Sequence, residues 1–245
     1  MRYLITFSYD GSKYGGYQKQ LDINTIQAEL ETALTKLNNK ETSVVASGRT
    51  DRGVHAINQK AHFDLDINIT PDKLKMALNS LIPNDIYVKN VEVVDSNFHA
   101  RFNVKSKEYV YKINLGEYNP IEKDYIYQYG KSLDVEAMNK GIKYFIGMHN
   151  FKSLVAADDV RDNYDREIIS ANIEVENDIM TISFVGTGFL RYMVRNMVGL
   201  LIEMGEGKRK ASDVLTILEK EDRKASGKTA PACGLYLKNV NYWHY

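Results

Sequence analysis

The stretch Ser47-Gly48-Arg49-Thr50-Asp51-Arg52-Gly53-Val54-His55-Ala56 decides how the rest of the chain is read. A β-branched, apolar run from Thr42 to Ala46 leads into it, and a second strand-like run, Ile57 to Leu65, leads out. In the second run Ala61, Phe63 and Leu65 alternate with Lys60, His62 and Asp64, the period of a half-buried strand. Between two strands therefore sits a glycine-bracketed loop with one carboxylate, two guanidiniums, a hydroxyl and an imidazole. Gly48 and Gly53 are expected to supply backbone angles that other residues resist, holding Asp51 out at a sheet edge. Read blandly, Asp51 only pairs with Arg49 or Arg52 in a solvated turn, and exposed pairs of that kind are common and weak. Turn geometry, however, asks for Gly, Asn and Asp, not for two arginines and a histidine as well.

Upstream, a strand from Tyr3 to Tyr9 ends in the loop Asp10 to Gln20, whose Lys13, Tyr17 and Gln18 suit a sugar-phosphate backbone or a stacked base. A plain surface loop with aromatic anchors is an equal reading. Asn24 then reads as an N-cap with Gln27 three residues on, and Ile26, Leu30, Ala33 and Leu37 make a helical stripe. Downstream, Thr70-Pro71 opens a second helix with Leu74, Ala77, Leu78 and Leu81 facing inward. Pro83-Asn84-Asp85 breaks it, and Ile86 to Val94 returns as a strand. The order strand, helix, hairpin, helix, strand is that of a ferredoxin-like α/β sandwich.

After a connection at Asp95 to Lys107, a strand starts at Lys107 with Tyr109, Tyr111 and Ile113 on one face, and Asp134 caps a helix that ends at Gly147-Met148-His149-Asn150-Phe151. A hairpin about Asn177, a long helix from about Gly188, a helix from Ser212 to Glu219 and a closing strand, Gly234 to Tyr242, follow. Both halves thus repeat roughly one order. The expected fold is α+β: two ferredoxin-like subdomains, 1–104 and 105–245, with sheets side by side and a central cleft.

Composition removes other classes. Lys+Arg 32 against Asp+Glu 32 gives no global field, so a polyanion must be met by a local patch. The 17 tyrosines suit base stacking and half-buried sheets alike. A single cysteine, Cys233, excludes an internal disulfide framework, fits a reducing compartment and reads as a small buried thiol. The N-terminus lacks a signal-peptide core, and Phe189 to Met204 is too short to span a bilayer and is interrupted by Arg191 and Arg195, so a cytoplasmic protein is expected. Gly205-Glu206-Gly207-Lys208 and Gly227-Lys228-Thr229 lack P-loop spacing. His55, His62, His99, His149 and His244 lack metal-site spacing, so no metal is expected. The charged run Asp158 to Arg166 reads as a solvated loop. On the long helix Arg195 borders the apolar face, and such a guanidinium calls for a carboxylate or phosphate, or lays its stem along the surface with its head in water. What survives is one aspartate with arginine help, a known mode of covalent catalysis.

The loop at 47–56, with Tyr9-Asp10-Gly11, Tyr17-Gln18-Lys19-Gln20, Thr25-Ile26-Gln27, Phe98-His99-Ala100-Arg101-Phe102, Tyr109-Val110-Tyr111, Gly147-Met148-His149-Asn150-Phe151, Phe189-Leu190-Arg191-Tyr192-Met193-Val194-Arg195-Asn196 and Ala230-Pro231-Ala232-Cys233-Gly234-Leu235, resembles the bacterial tRNA pseudouridine synthase A family in order over essentially the whole chain. Tyr17 stands where that family usually has Trp, and Tyr14 where it more usually has Phe. The resemblance implies the pseudouridine synthase fold and conversion of uridine to pseudouridine at positions 38–40 of the tRNA anticodon stem-loop. It implies neither cofactor nor metal, and a homodimer in which one tRNA contacts both subunits. Asp51 would be the nucleophile, Arg195 its partner and Tyr109 the ring stacked on the target uracil. Arg49 would help extrude the nucleotide, with Arg52 and His55 also at the substrate. Lys13, Tyr17, Gln18, Arg101 and Arg191 would touch RNA more widely. A non-catalytic RNA-binding protein would not need Asp51 in such a loop. A glycoside or nucleoside hydrolase would ordinarily need a second carboxylate beside it.

Overall fold

In the computed structural model, which describes residues 1–243, strands form where β-branched and aromatic residues cluster, and helices where apolar residues recur every three or four. The elements are β1 (Arg2–Tyr9), α1 (Ile26–Asn38), β2 (Val45–Ala46), β3 (His55–Asp64), α2 (Pro71–Leu81), β4 (Ile86–Val93), β5 (Val104–Asn114), β6 (Tyr127–Gln128), α3 (Val135–Ile142), β7 (Gly147–Asn150), β8 (Asp165–Glu176), β9 (Ile179–Gly186), α4 (Met193–Gly205), α5 (Asp213–Glu219) and β10 (Leu235–Tyr242). They fall into two compact units, Met1–Lys105 with the chain from Tyr236 on, and Ser106–Leu235. His244, one of the five histidines considered above, lies outside the described residues.

In the first unit β1 lies between β3 and β4, antiparallel to both, and β2 pairs with the far side of β3. That order, 4-1-3-2 with α1 and α2 as crossovers, is the ferredoxin-like one. Tyr3, Ile5, Phe7 and Phe63 from the sheet and Leu30, Leu34, Leu74 and Leu78 from the helices are buried. Several local expectations shift. The helix cap is Thr25, not Asn24: its Oγ1 accepts from the Ala28 amide at 3.4 Å, while the Asn24 carbonyl is taken by the Gly15 amide at 2.8 Å. Leu81 is exposed, and His62 is buried although it falls on the polar side of the alternation. The closing strand read as part of the second half belongs here: β10 runs parallel to β3, with Tyr236 opposite His55 and Leu237 opposite Ala56.

In the second unit β5, β9, β8 and β7 follow one another antiparallel, and β6 runs parallel to β5. Asn177 and Asp178, both at positive φ (48° and 64°), close the β8–β9 hairpin with the mirror-image turn that matches strand twist. Asp134 Oδ1 caps α3 by accepting from the Ala137 amide at 2.9 Å. The long helix begins at Met193 rather than Gly188, because Tyr192 adopts a left-handed φ of 65° that no α-helix continues through. Arg191 therefore precedes α4, and Arg195 sits in its first turn. No helix among the described residues is long and apolar enough to cross a membrane.

Candidate active site

In the first unit the backbone of the Asp51 loop is pinned from beneath. The Val54 amide donates to the Asp51 carbonyl at 3.1 Å, closing a turn over Arg52 and Gly53, and Gly53 takes a φ of 78°. Gly48 is not at positive φ; its carbonyl accepts from Gln59 Nε2 at 3.0 Å, and Gln59 Oε1 accepts from Ser47 Oγ at 2.6 Å. Thr50 Oγ1 meets the Tyr9 hydroxyl at 2.8 Å. Burial pushes the Tyr9 pKa up to about 12, with hydrogen bonds to Thr50 and Gln59 opposing, so the hydroxyl keeps its proton.

The Asp10–Gln20 loop closes on the same backbone. The Tyr17 amide donates to Thr50 O at 3.0 Å. Gly16, at a φ of 108°, has no side chain because a Cβ would lie 3.0 Å from Thr50 O and 3.2 Å from Arg52 N. Above this seat Asp51 is half-buried, with Arg49 and Arg52 exposed on either side.

Two residues expected at the substrate or RNA are seated in the scaffold. His55 is 2% exposed and its ring stacks on Tyr236 at 4.7 Å. Its Nδ1 accepts from the Gly11 amide at 3.1 Å and lies 3.3 Å from the Asp10 carboxylate. His55 thus joins the Asp10 and Asp51 loops. Tyr17, also 2% exposed, has a buried hydroxyl with no hydrogen-bond partner, and its ring is part of the core. Lys13 and Gln18 are exposed on the same loop, while Arg101 is exposed on a separate turn after β4.

The second unit holds Tyr109, Arg191 and Arg195. Tyr109 is buried on β5 with its ring edge-on to Phe189 at 5.0 Å. Arg195 Nε donates to Ala230 O at 2.8 Å, and the Ala230 amide returns a bond to Arg195 O at 3.1 Å. The Arg195 and Arg191 guanidiniums lie 4.9 and 5.1 Å from the Tyr192 ring, and Arg191 also pairs with Asp158 at 3.1 Å. The Ala230-Pro231 segment bridges to β5, since the Tyr111 hydroxyl donates to Pro231 O at 2.7 Å, two residues from Tyr109. Gly199 allows residues 228–230 to lie against α4, because a Cβ there would overlap Lys228 O.

Sequence reading missed the side chains that fix this segment. Arg223 Nη2 donates to Asn196 Oδ1 at 3.2 Å and to Thr229 Oγ1 at 2.9 Å, and Asn196 Nδ2 donates to Leu154 O at 2.8 Å. The signal was Asn196 itself, a polar residue inside an apolar helix face. Cys233 is half-buried rather than buried, and burial raises its pKa, which disfavours a thiolate. Among the described residues no three His, Cys, Asp or Glu side chains are placed to hold a metal ion.

Sequence comparison gives the class. The chain matches the profile of the tRNA pseudouridine synthases over residues 5–103 and 142–243. It is 43% identical over 242 residues to the tRNA pseudouridine synthase A of Anoxybacillus flavithermus, and 42% identical over 243 residues to that of Geobacillus sp. strain WCH70. It is 41% identical over 240 residues to that of Caldicellulosiruptor bescii, and each of the three alignments covers 98% of both chains. The chain belongs to the tRNA pseudouridine synthase family and is an isomerase, as the motif resemblance led one to expect.

Proposed function

We propose that the chain converts uridine to pseudouridine in tRNA, at positions 38–40 of the anticodon stem-loop, as a homodimer in which one tRNA contacts both subunits. Asp51 is the nucleophile that lets the N1–C1′ glycosidic bond break. The freed uracil turns, rejoins the ribose through a C5–C1′ bond and then loses its C5 proton. Arg195 pairs with the Asp51 carboxylate and keeps it ionised at neutral pH. Tyr109 stacks on the uracil and takes part in the deprotonation. Arg49, exposed beside Asp51, fills the space of the extruded nucleotide, whose unstacking costs a few kcal/mol. Arg52, Lys13, Gln18 and Arg191 extend the contact along the phosphate backbone. His55 serves the substrate indirectly, by holding the Asp10 loop against the Asp51 loop.

The observation that carries this reading is the seat of Asp51: a half-exposed carboxylate on a backbone held by Tyr9, Gly16, Gln59 and the Tyr17 amide. A solvated turn needs no such support. The test is tritium release from tRNA labelled at uracil C5. Wild type should release tritium and Asp51→Asn should not, while both bind tRNA with similar affinity that falls steeply with salt. Free uracil among the products, or an Asp51→Asn protein that turns over normally, would sink the assignment.

A further inference from the structure

Rings and cations gather at the turn after β4. Phe98 and Ala100 are buried there with Leu4 and Val94, yet Phe102 is 75% exposed and Trp243, just past β10, is 62% exposed. Phe102 is held in place. His99 Nδ1 accepts from the amides of Arg101 (3.2 Å) and Phe102 (3.3 Å), and Asn103 Oδ1 accepts from the His99 amide at 2.6 Å. The Phe102 ring stacks on His99 at 4.2 Å and 27°, and His99 in turn lies 4.9 Å from His62. The three rings form a column-like cluster, stacked at Phe102–His99 and tilted by 60° at His99–His62, whose outer member opens to solvent. Burial, with Arg2 and Arg101 nearby, lowers the His99 pKa, so the column is uncharged at neutral pH. Tyr242 ties the end of β10 to the same turn, its hydroxyl donating to Ala100 O at 2.8 Å.

Three rings of this group each carry a cation. Arg101 lies 5.9 Å from the Phe102 centroid, Lys105 Nζ 5.0 Å from that of Trp243 and Lys60 Nζ 5.3 Å from that of Tyr242. None of the three has a carboxylate partner among the described residues; Asp64, on the same strand as Lys60, is taken by Arg2 at 2.7 Å.

We propose that this turn and strand end form a second RNA contact. An unpaired nucleotide of the tRNA lays its base against the exposed Phe102 ring, with Arg101 swinging off the ring to meet its phosphates beside Lys105, and Trp243 takes a neighbouring base. The inference rests on the tRNA reading above. Exposed rings joined to unpaired cations match a polymer of base faces and phosphates. A second copy of the chain fits worse, because a two-fold contact sets a patch against itself, here cation against cation. His62, which packs on His99 beneath Phe102, stands seven residues along β3 from His55, about 23 Å, so the nucleotide bound here is not the one at Asp51. The rigid turn means that little ordering is lost on binding.

The experiment measures Kd for unmodified tRNA transcripts with Phe102→Ala, Trp243→Ala, Phe102→Trp and Arg101→Gln, alongside circular dichroism and light scattering. Each alanine variant should raise Kd by roughly 5- to 150-fold. Phe102→Trp should restore near-wild-type binding, and Arg101→Gln should lower the slope of log K on log salt by about 0.7 to 0.9. Folded alanine variants that bind within twofold of wild type overturn the proposal. So does failed rescue by Phe102→Trp, or weakening that accompanies a change of subunit number, which would mark a protein contact. The same preparations are assayed for pseudouridine. If wild type forms none while the alanine variants lose tRNA, the synthase reading falls and the platform stands.

Discussion

Two loops of this chain carry nearly the same letters and are built differently. Residues 49–52 place an aspartate between two arginines, and residues 158–162 string three aspartates about one. In the second loop the charges satisfy one another. Arg161 forks onto Asp159, Asp158 takes Arg191, and Val160 between them is 92% exposed. In the first loop the charges stand on a backbone held by buried neutral groups: Thr50 on Tyr9, Gly48 on Gln59, and the Thr50 carbonyl on the Tyr17 amide. Charge content alone therefore does not mark a site. What marks it is polar structure beneath the charges that their own solvation does not require.

The widest separation between the loops should appear in turnover. Asp51→Asn should cut pseudouridine formation by at least about 10³-fold, the scale on which removal of a nucleophile acts, whereas Asp159→Asn should stay within twofold. Equal losses in the two variants would erase the contrast. Next comes stability. Gly16→Ala forces a side chain into a left-handed backbone against Thr50 O and should cost about 1–3 kcal/mol, with kcat falling as the Asp51 loop shifts. Arg161→Ala, which leaves the 7% exposed Asp159 side chain without its fork, should cost a comparable amount, about 1–3 kcal/mol, somewhat less in 1 M salt, but with kcat unchanged. Urea midpoints measured at both salt levels would check this.

A smaller effect is set by pH on β3, which leads out of the first loop. Burial first, then Arg2 and His99, lower the His62 pKa from 6.5 to about 4, and its Nδ1 accepts from the Ala100 amide at 3.1 Å. The unfolded chain takes up this proton near pH 6.5 and the native one only near 4. Unfolding thus binds a proton between those values, and His62 lowers stability progressively as pH falls from about 6.5 to 4, with no such penalty above. His62→Gln should flatten that part of the curve of stability against pH. The slightest change belongs to Tyr17→Phe. The hydroxyl it removes is buried without a partner, so the variant should be neutral or gain up to about 1 kcal/mol. A clear loss of stability would show that the hydroxyl is satisfied in solution.

Much of this was legible in the chain. Proline at the start of α2, Asp134 before α3 and Asn177 between two strands each announce a local backbone state, and each element formed there. Asp51 stood out because its neighbours exceed what a turn needs. The misreadings share one cause, which is that tertiary contacts choose among locally equal options. Asn24 and Thr25 are both good caps, but the Asn24 carbonyl is engaged by Gly15. Leu190 continues the apolar stripe of α4, yet Tyr192 turns left-handed before the helix starts. Tyr17 and His55 look like binding residues by type, and the structure buries both, Tyr17 within the core and His55 between two loops. Tyr9 and Gln59, the supports of the Asp51 loop, are read from the sequence merely as strand residues, since their partners lie about 40 residues up the chain for Tyr9 and about ten back for Gln59.

The parallel strand opposite His55 has a further consequence for synthesis. Tyr236 leaves the ribosome about 180 residues after the histidine on which it stacks, so at ordinary elongation rates that edge of β3 waits on the order of 10–40 s for its neighbour. Until then the nascent first unit presents a bare strand edge beside the Asp51 loop, open to pairing with other newly made chains. Maturation of the Asp51 loop is thereby tied to the synthesis of residues about 180 positions downstream rather than to the stretch that encodes it.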